Sequence, residues 1–161
     1  MRRMAFVLGL VLAAGMCPAP VAVSASARVS PVQVQALPGD FNGDLRPDLA
    51  IGVRGEAVGG RVDAGAVNVL YGGTQGPGGW SGVGSQLFTQ SGAGGSAEPA
   101  DGFGTVVAVG NFNGDGFGDL AVGAPGETVG AVRDAGAVNV LYGSPVGLTG
   151  VGAQQFTQDS P

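Results

Sequence analysis

Asp63-Ala64-Gly65-Ala66-Val67-Asn68-Val69-Leu70-Tyr71-Gly72 returns letter for letter as Asp134-Ala135-Gly136-Ala137-Val138-Asn139-Val140-Leu141-Tyr142-Gly143, 71 positions further along. Inside it Val67, Val69 and Tyr71 alternate with Ala66, Asn68 and Leu70, the period-two pattern of a strand, and glycine ends the run. Working outward, the same spacing joins two further stretches. Asp40-Phe41-Asn42-Gly43-Asp44-Leu45-Arg46-Pro47-Asp48 precedes the first copy, and Asn111-Phe112-Asn113-Gly114-Asp115-Gly116-Phe117-Gly118-Asp119 precedes the second. Each runs on into an apolar strand, Leu49 to Val53 and Leu120 to Gly123. The chain is therefore read as a repeat protein.

Further strands are expected at Gln86 to Gln90, echoed at Gln155 to Gln158, and at Thr105 to Val109, a β-branched run. A lead strand is expected around Val29, Val32 and Val34. The last echo arrives three residues early, which puts the variable loop, with Trp80, between the third and fourth strands. No segment beyond the leader carries a helical stripe, and the glycine density would penalise one. About four strands per 71-residue unit is the signature of propeller blades. The expected fold is all-β: two four-stranded antiparallel blades, the first incomplete, forming an open fragment of a β-propeller.

Residues 1–27 read as a secretory signal peptide. Arg2 and Arg3 precede an apolar run from Met4 to Met16, and Ala25-Ser26-Ala27 supplies small residues for cleavage. The rival reading, a lipid on Cys17, is disfavoured by the bulky Met16 before it. Residues 28–100 and 101–161 then form the two units. Cleavage leaves no cysteine, so any cross-link must come from elsewhere, and bound metal is one source. The net charge of −5 becomes −7 without the two leader arginines, which disfavours nucleic acid and anionic membrane and suits divalent cations.

In both nine-residue stretches, oxygen-bearing side chains occupy positions 1, 3, 5 and 9, and glycine occupies position 4. This is the spacing of a loop curled round a hard cation, with the carbonyl of position 7 free to turn inward. Oxygen donors without His or Cys exclude a conventional zinc or copper site, and their number favours Ca²⁺ over Mg²⁺. An EF-hand is disfavoured: its closing Glu would fall at Ile51 and Val122. The bland alternative is that Asp-Asn-Gly stretches are simply turns, a reading weakened by the second copy in register. For the repeated Asp63, Asp134, Glu56 and Glu127 the turn reading is preferred, and Tyr71 and Tyr142 are read as packing residues.

Phe103-Gly104, the Asn/Asp loop and Gly123-Ala124-Pro125, in that order, resemble an FG-GAP repeat, the blade unit of the integrin α-subunit propeller and of many secreted bacterial proteins. The resemblance covers roughly Asp40 to the C-terminus. It implies calcium at a hairpin between the first two strands of each blade. The first site would use Asp40, Asn42, Asp44, the Arg46 carbonyl and Asp48. The second would use Asn111, Asn113, Asp115, the Phe117 carbonyl and Asp119. The first unit departs from the pattern: it has Gly52-Val53-Arg54 in place of Gly-Ala-Pro and no Phe-Gly ahead of its loop. In the second, Asn111 stands where a carboxylate is expected.

A chain with no His, no Lys and no mature Cys offers no Ser-His triad, Schiff-base amine, thiolate or P-loop lysine. The expected function is a secreted, non-catalytic calcium-binding module for extracellular binding or adhesion, with a protein or carbohydrate ligand. The alternatives are an accessory repeat of a larger secreted hydrolase and a truncated propeller with no independent function. A closed propeller needs at least about four blades, and the chain ends on a connector-like Asp159-Ser160-Pro161. Further blades in a longer chain, or self-association, are therefore expected.

Overall fold

The computed structural model describes residues 37–73 and 84–161. The signal peptide, Cys17, the lead strand at 29–34 and Trp80 lie outside the described residues. Among the described residues seven strands form two antiparallel sheets. The first sheet is β1 (Leu49–Val53), β2 (Ala66–Leu70) and β3 (Ser85–Thr89), in that order. The second is β4 (Val106–Gly110), β5 (Asp119–Ala124), β6 (Ala137–Tyr142) and β7 (Thr149–Phe156). Each unit is an up-and-down meander, and together they make an all-β, open fragment of a propeller.

The second unit has its four strands; the first has three among the described residues. The stretch 71 positions before β4 includes Pro38, and Leu37 to Asp40 forms a turn closed by Asp40 N donating to Leu37 O at 3.0 Å. Proline has no N–H for a ladder, so a strand is not continued there.

The repeat itself shows how the sheets stack. Leu120 and Val122 on β5 are fully buried, whereas their counterparts Leu49 and Ile51 on β1 are 38% and 41% exposed. The reverse holds on the other side. Val67 and Phe88 are buried, whereas their counterparts Val138 and Phe156 are 43% and 45% exposed. Opposite faces of the same unit therefore meet, Val67, Val69 and Phe88 of the first against Leu120, Val122 and Leu141 of the second. This is a head-to-tail contact, and it leaves one face of each type open.

The seam is closed by backbone. Ala100 N, Gly102 N and Phe103 N donate to the carbonyls of Val62, Asp63 and Ala64 at 2.9, 2.9 and 3.0 Å. Gly65 and Phe103 form a parallel bridge, and the Phe103 side chain is fully buried behind it. Gly104, at φ +90°, lies against the first sheet so closely that a Cβ there would sit 2.5 Å from Ala66 O and 3.2 Å from Gly52 Cα. Only glycine meets both demands, the positive φ and the close approach.

Candidate metal-binding loops

Each nine-residue loop wraps its own amides round its side-chain oxygens. In the first loop Asp40 Oδ1 accepts from Gly43 N at 2.7 Å and Asp44 N at 3.1 Å. Asn42 Oδ1 accepts from the same Asp44 N at 3.0 Å, and Asp44 Oδ1 from Arg46 N at 2.9 Å. The second loop repeats the pattern. Asn111 Oδ1 takes Gly114 N and Asp115 N at 2.7 and 3.1 Å, Asn113 Oδ1 takes Asp115 N at 3.0 Å, and Asp115 Oδ1 takes Phe117 N at 2.9 Å. One amide shared by positions 1 and 3 fixes those two oxygens beside each other in both copies. Gly43 and Gly114 make the bend, at φ +73° and +75°.

Position 6 differs between the loops. Gly116 takes positive φ freely, but Leu45 is held at φ 65° in the first loop. Its N–H donates to Asp40 Oδ2 at 2.9 Å, a bond that the single oxygen of Asn111 does not provide to Gly116. The carboxylate at position 1 thus offsets a backbone strain of about 1–2 kcal/mol.

The closing aspartates have a second task. Asp48 accepts from Phe41 N and Gly72 N, both at 2.8 Å. Asp119 accepts from Phe112 N at 2.7 Å and Gly143 N at 2.9 Å, and is fully buried. Each ties the start of its loop to the segment that follows β2 in the first unit and β6 in the second. Burial pushes the Asp48 carboxyl above its usual range. The two backbone bonds partly offset this, and the nearby charges of Asp40 and Asp44 add to it.

The expected ligand residues at positions 1, 3 and 5 are thus brought together, and position 9 is anchored at the base. Among the described residues no three Asp, Glu, His or Cys side chains gather to hold a metal, so Asp40, Asp44 and Asp48 of the first loop do not converge as a three-carboxylate cluster. Asn42, Asp44, Asn113 and Asp115 each accept one backbone bond at Oδ1 and keep a lone pair there, whereas Asp40 Oδ1 and Asn111 Oδ1 each accept two. The residues at position 7 diverge. Arg46 places its guanidinium 3.4 Å from Asp44 Oδ2, a half-exposed pair. Phe117 instead lays its ring against Gly43 of the first loop, where an added Cβ would meet ring carbon Cε1 at 2.6 Å. The loops also touch through backbone, Gly118 N donating to Asp40 O at 2.7 Å.

Asp63 and Asp134 adopt φ 55° and 54°, turn residues in both copies. Tyr71 does more than pack: its hydroxyl donates to Gln86 and accepts from Leu148 N of the second unit at 2.8 Å. Glu127 is not merely a turn residue. It is buried and accepts from Gln90 across the seam. The sequence signal for this polar seam was Asn68/Asn139, an amide repeated in the middle of a β-branched strand.

Among the described residues no helix is long and apolar enough to cross a membrane. The chain is similar to the phosphatidylinositol-glycan-specific phospholipases D of mouse (37% identity over 108 residues), rat (37% over 109) and cattle (38% over 111). These matches take in 67% of this chain and 12–13% of each relative, so the chain spans about an eighth of their length. The FG-GAP repeat profile matches residues 103–141, from the buried Phe103 through the second loop to the third strand of the unit. Residues 103–141 are accordingly an FG-GAP repeat, stacked head to tail on a variant copy of the same unit.

Proposed function

We propose that the chain is a non-catalytic repeat module that works outside the cell, with Ca²⁺ held in its two loops as the element that stiffens each blade. The observation that carries this reading is the identical wrap of amides round oxygens at positions 1, 3 and 5 in both copies. A loop that crowds carboxylates is relieved by a cation, and the binding free energy then appears as folding free energy. The ligands are Asp40, Asn42, Asp44, the Arg46 carbonyl and Asp48, and Asn111, Asn113, Asp115, the Phe117 carbonyl and Asp119. The first loop has three carboxylates against two, and the half-exposed Arg46–Asp44 pair, worth about 0–1 kcal/mol, narrows the difference without reversing it. Calorimetric titration is expected to give two saturable sites in the range of about 10⁻⁴ to 10⁻³ M, the first the tighter. A tighter second site would overturn the ranking, and no saturable heat would remove the metal.

The two open faces supply the partner class. Leu49, Ile51 and Leu87 form a face whose counterpart in the second unit is covered by a neighbouring sheet, and Val138 and Phe156 form the complementary one. A further repeat, or a second copy of this chain, covers them, and a protein or carbohydrate ligand binds the completed assembly. Light scattering of the isolated chain is expected to show mass rising with concentration. A constant monomer mass would contradict self-association.

A second reading is favoured by the relatives' names: an accessory repeat region of a larger secreted hydrolase. A catalytic segment in the same reading frame would establish it.

A further inference from the structure

One matching place is filled on the first unit and open on the second. On the first, the carbonyls of Val62, Asp63 and Ala64 accept from the strap Ala100 to Phe103. The second unit repeats the receiving sequence, Asp134 to Ala137, in the same conformation: Asp63 and Asp134 lie at φ 55° and 54°, Gly65 and Gly136 at +85° and +81°. Yet among the described residues Arg133 O and Asp134 O accept no backbone N–H, and Ala135 O takes the exposed side-chain amide of Gln158 at 3.2 Å.

The room at the glycines measures the difference. A Cβ on Gly65 would lie 2.1 Å from Phe103 O, and one on Gly52 would lie 2.0 Å from Gly104 O. At the counterparts the nearest atoms beyond the chain neighbours are ordinary contacts, Pro125 O at 3.6 Å from Gly136 and Val106 O at 3.7 Å from Gly123. Ala64 is fully buried, whereas Ala135 is partly open. Beside this groove lies the open sheet face, with Val106, Val138 and Phe156 64%, 43% and 45% exposed. In the filled groove the Phe103 ring shares a core with Val67 and Val69, whose counterparts are Val138 and Val140.

We infer that the rim of the second unit, from Arg133 to Ala137 with Gly123 beside it, is a docking groove for an extended Asp-Gly-Phe-Gly strap of a further repeat. The occupant's chemistry is set by the matching groove, which holds Asp101-Gly102-Phe103-Gly104 of this same chain. Its N–H groups meet the unpaired carbonyls, the main-chain addition by which a sheet takes up an extended peptide. The glycine after the ring lets the two backbones close up, and the ring covers apolar surface. A second copy of this chain fits less well: 71 positions before Phe103-Gly104 its first unit has Val32-Gln33, neither ring nor glycine. The inference rests on the reading that another repeat covers the open face of the second unit, and it adds the segment by which that repeat is recognised.

The test is an NMR titration of the isotope-labelled chain with a synthetic peptide of residues 98–105. That peptide keeps two bonds of its own, Glu98 N to the Asp101 carboxylate and Thr105 N to Gly102 O. Saturable shifts are expected at Gly123 and along 133–138, with at least about tenfold weaker binding when the peptide carries Phe103→Ala. Gly123→Ala in the chain is expected to leave the melting temperature unchanged and to abolish the shifts, because its methyl group has room in the free chain but meets the incoming carbonyl. Gly52→Ala, at the filled groove, is expected to lower the melting temperature. No saturable shift at millimolar peptide, equal binding of the Phe103→Ala peptide, or undiminished binding to Gly123→Ala overturns the inference. Mass that rises with concentration but no peptide binding overturns it too, while leaving the open faces to a second copy. Peptide binding at a constant monomer mass supports it and removes self-association alone. If Gly123→Ala fails to fold, the two peptides on the parent chain decide.

Discussion

Phe103→Ala is expected to lower the unfolding free energy by about 3–5 kcal/mol, the range for deleting a fully buried aromatic ring. The side chain has no exposed surface and packs within the core shared by both sheets. Its backbone is the parallel bridge to Gly65, so the cavity opens at the seam, where relaxation would have to move one unit against the other. A loss near the upper end of the range is therefore expected. Phe112, which is 53% exposed at position 2 of the second loop, is the control: its alanine variant is expected to change stability by less than about 1 kcal/mol. Urea unfolding of both variants checks this. A Phe103→Ala loss no greater than that of Phe112→Ala would mean that the seam does not support the fold.

Asp119→Ala is expected to cost about 3 kcal/mol even with every metal ion removed. Its carboxylate accepts from Phe112 N and from Gly143 N, 24 residues away, and truncation leaves these donors without partners in a buried setting at about 1–3 kcal/mol each. Asp115→Ala separates the two roles of the loop. Asp115 is exposed and holds only local bonds, to Phe117 N and Asn113 Nδ2, so its loss in chelator is expected to be small. In Ca²⁺ both variants are expected to lose the stabilisation that the second site gives. Equal losses for the two variants in chelator would show that Asp119 is not the anchor of the loop.

The strands were legible because their side chains alternate. Val67, Val69 and Tyr71 mark β2, and the letter-for-letter copy marks β6, both observed within one residue of expectation. β7 was not: it begins at Thr149, well before the expected Gln155. Gly150 and Gly152 hide the alternation there, and an irregularity between Val140 and Tyr142 shifts the register. The loops were legible as candidate ligand sets from the spacing of Asp and Asn. That Asp48 and Asp119 also reach Gly72 and Gly143 was not, since it depends on where β2 and β6 return. The buried Gln90, Glu127 and Asn139 were hidden for a related reason. Asn68 and Asn139 are identical in sequence context, and only stacking order makes one exposed and the other buried.

Melting the chain in EDTA, and again after Ca²⁺ is returned in excess, bears most directly on the proposal that oxygen-lined loops grip a hard cation and so hold the blades rigid. The expected result is a lower melting temperature in EDTA that recovers with Ca²⁺, the gain following the logarithm of free ion above its dissociation constant. Identical melting in EDTA and in millimolar Ca²⁺ would contradict it.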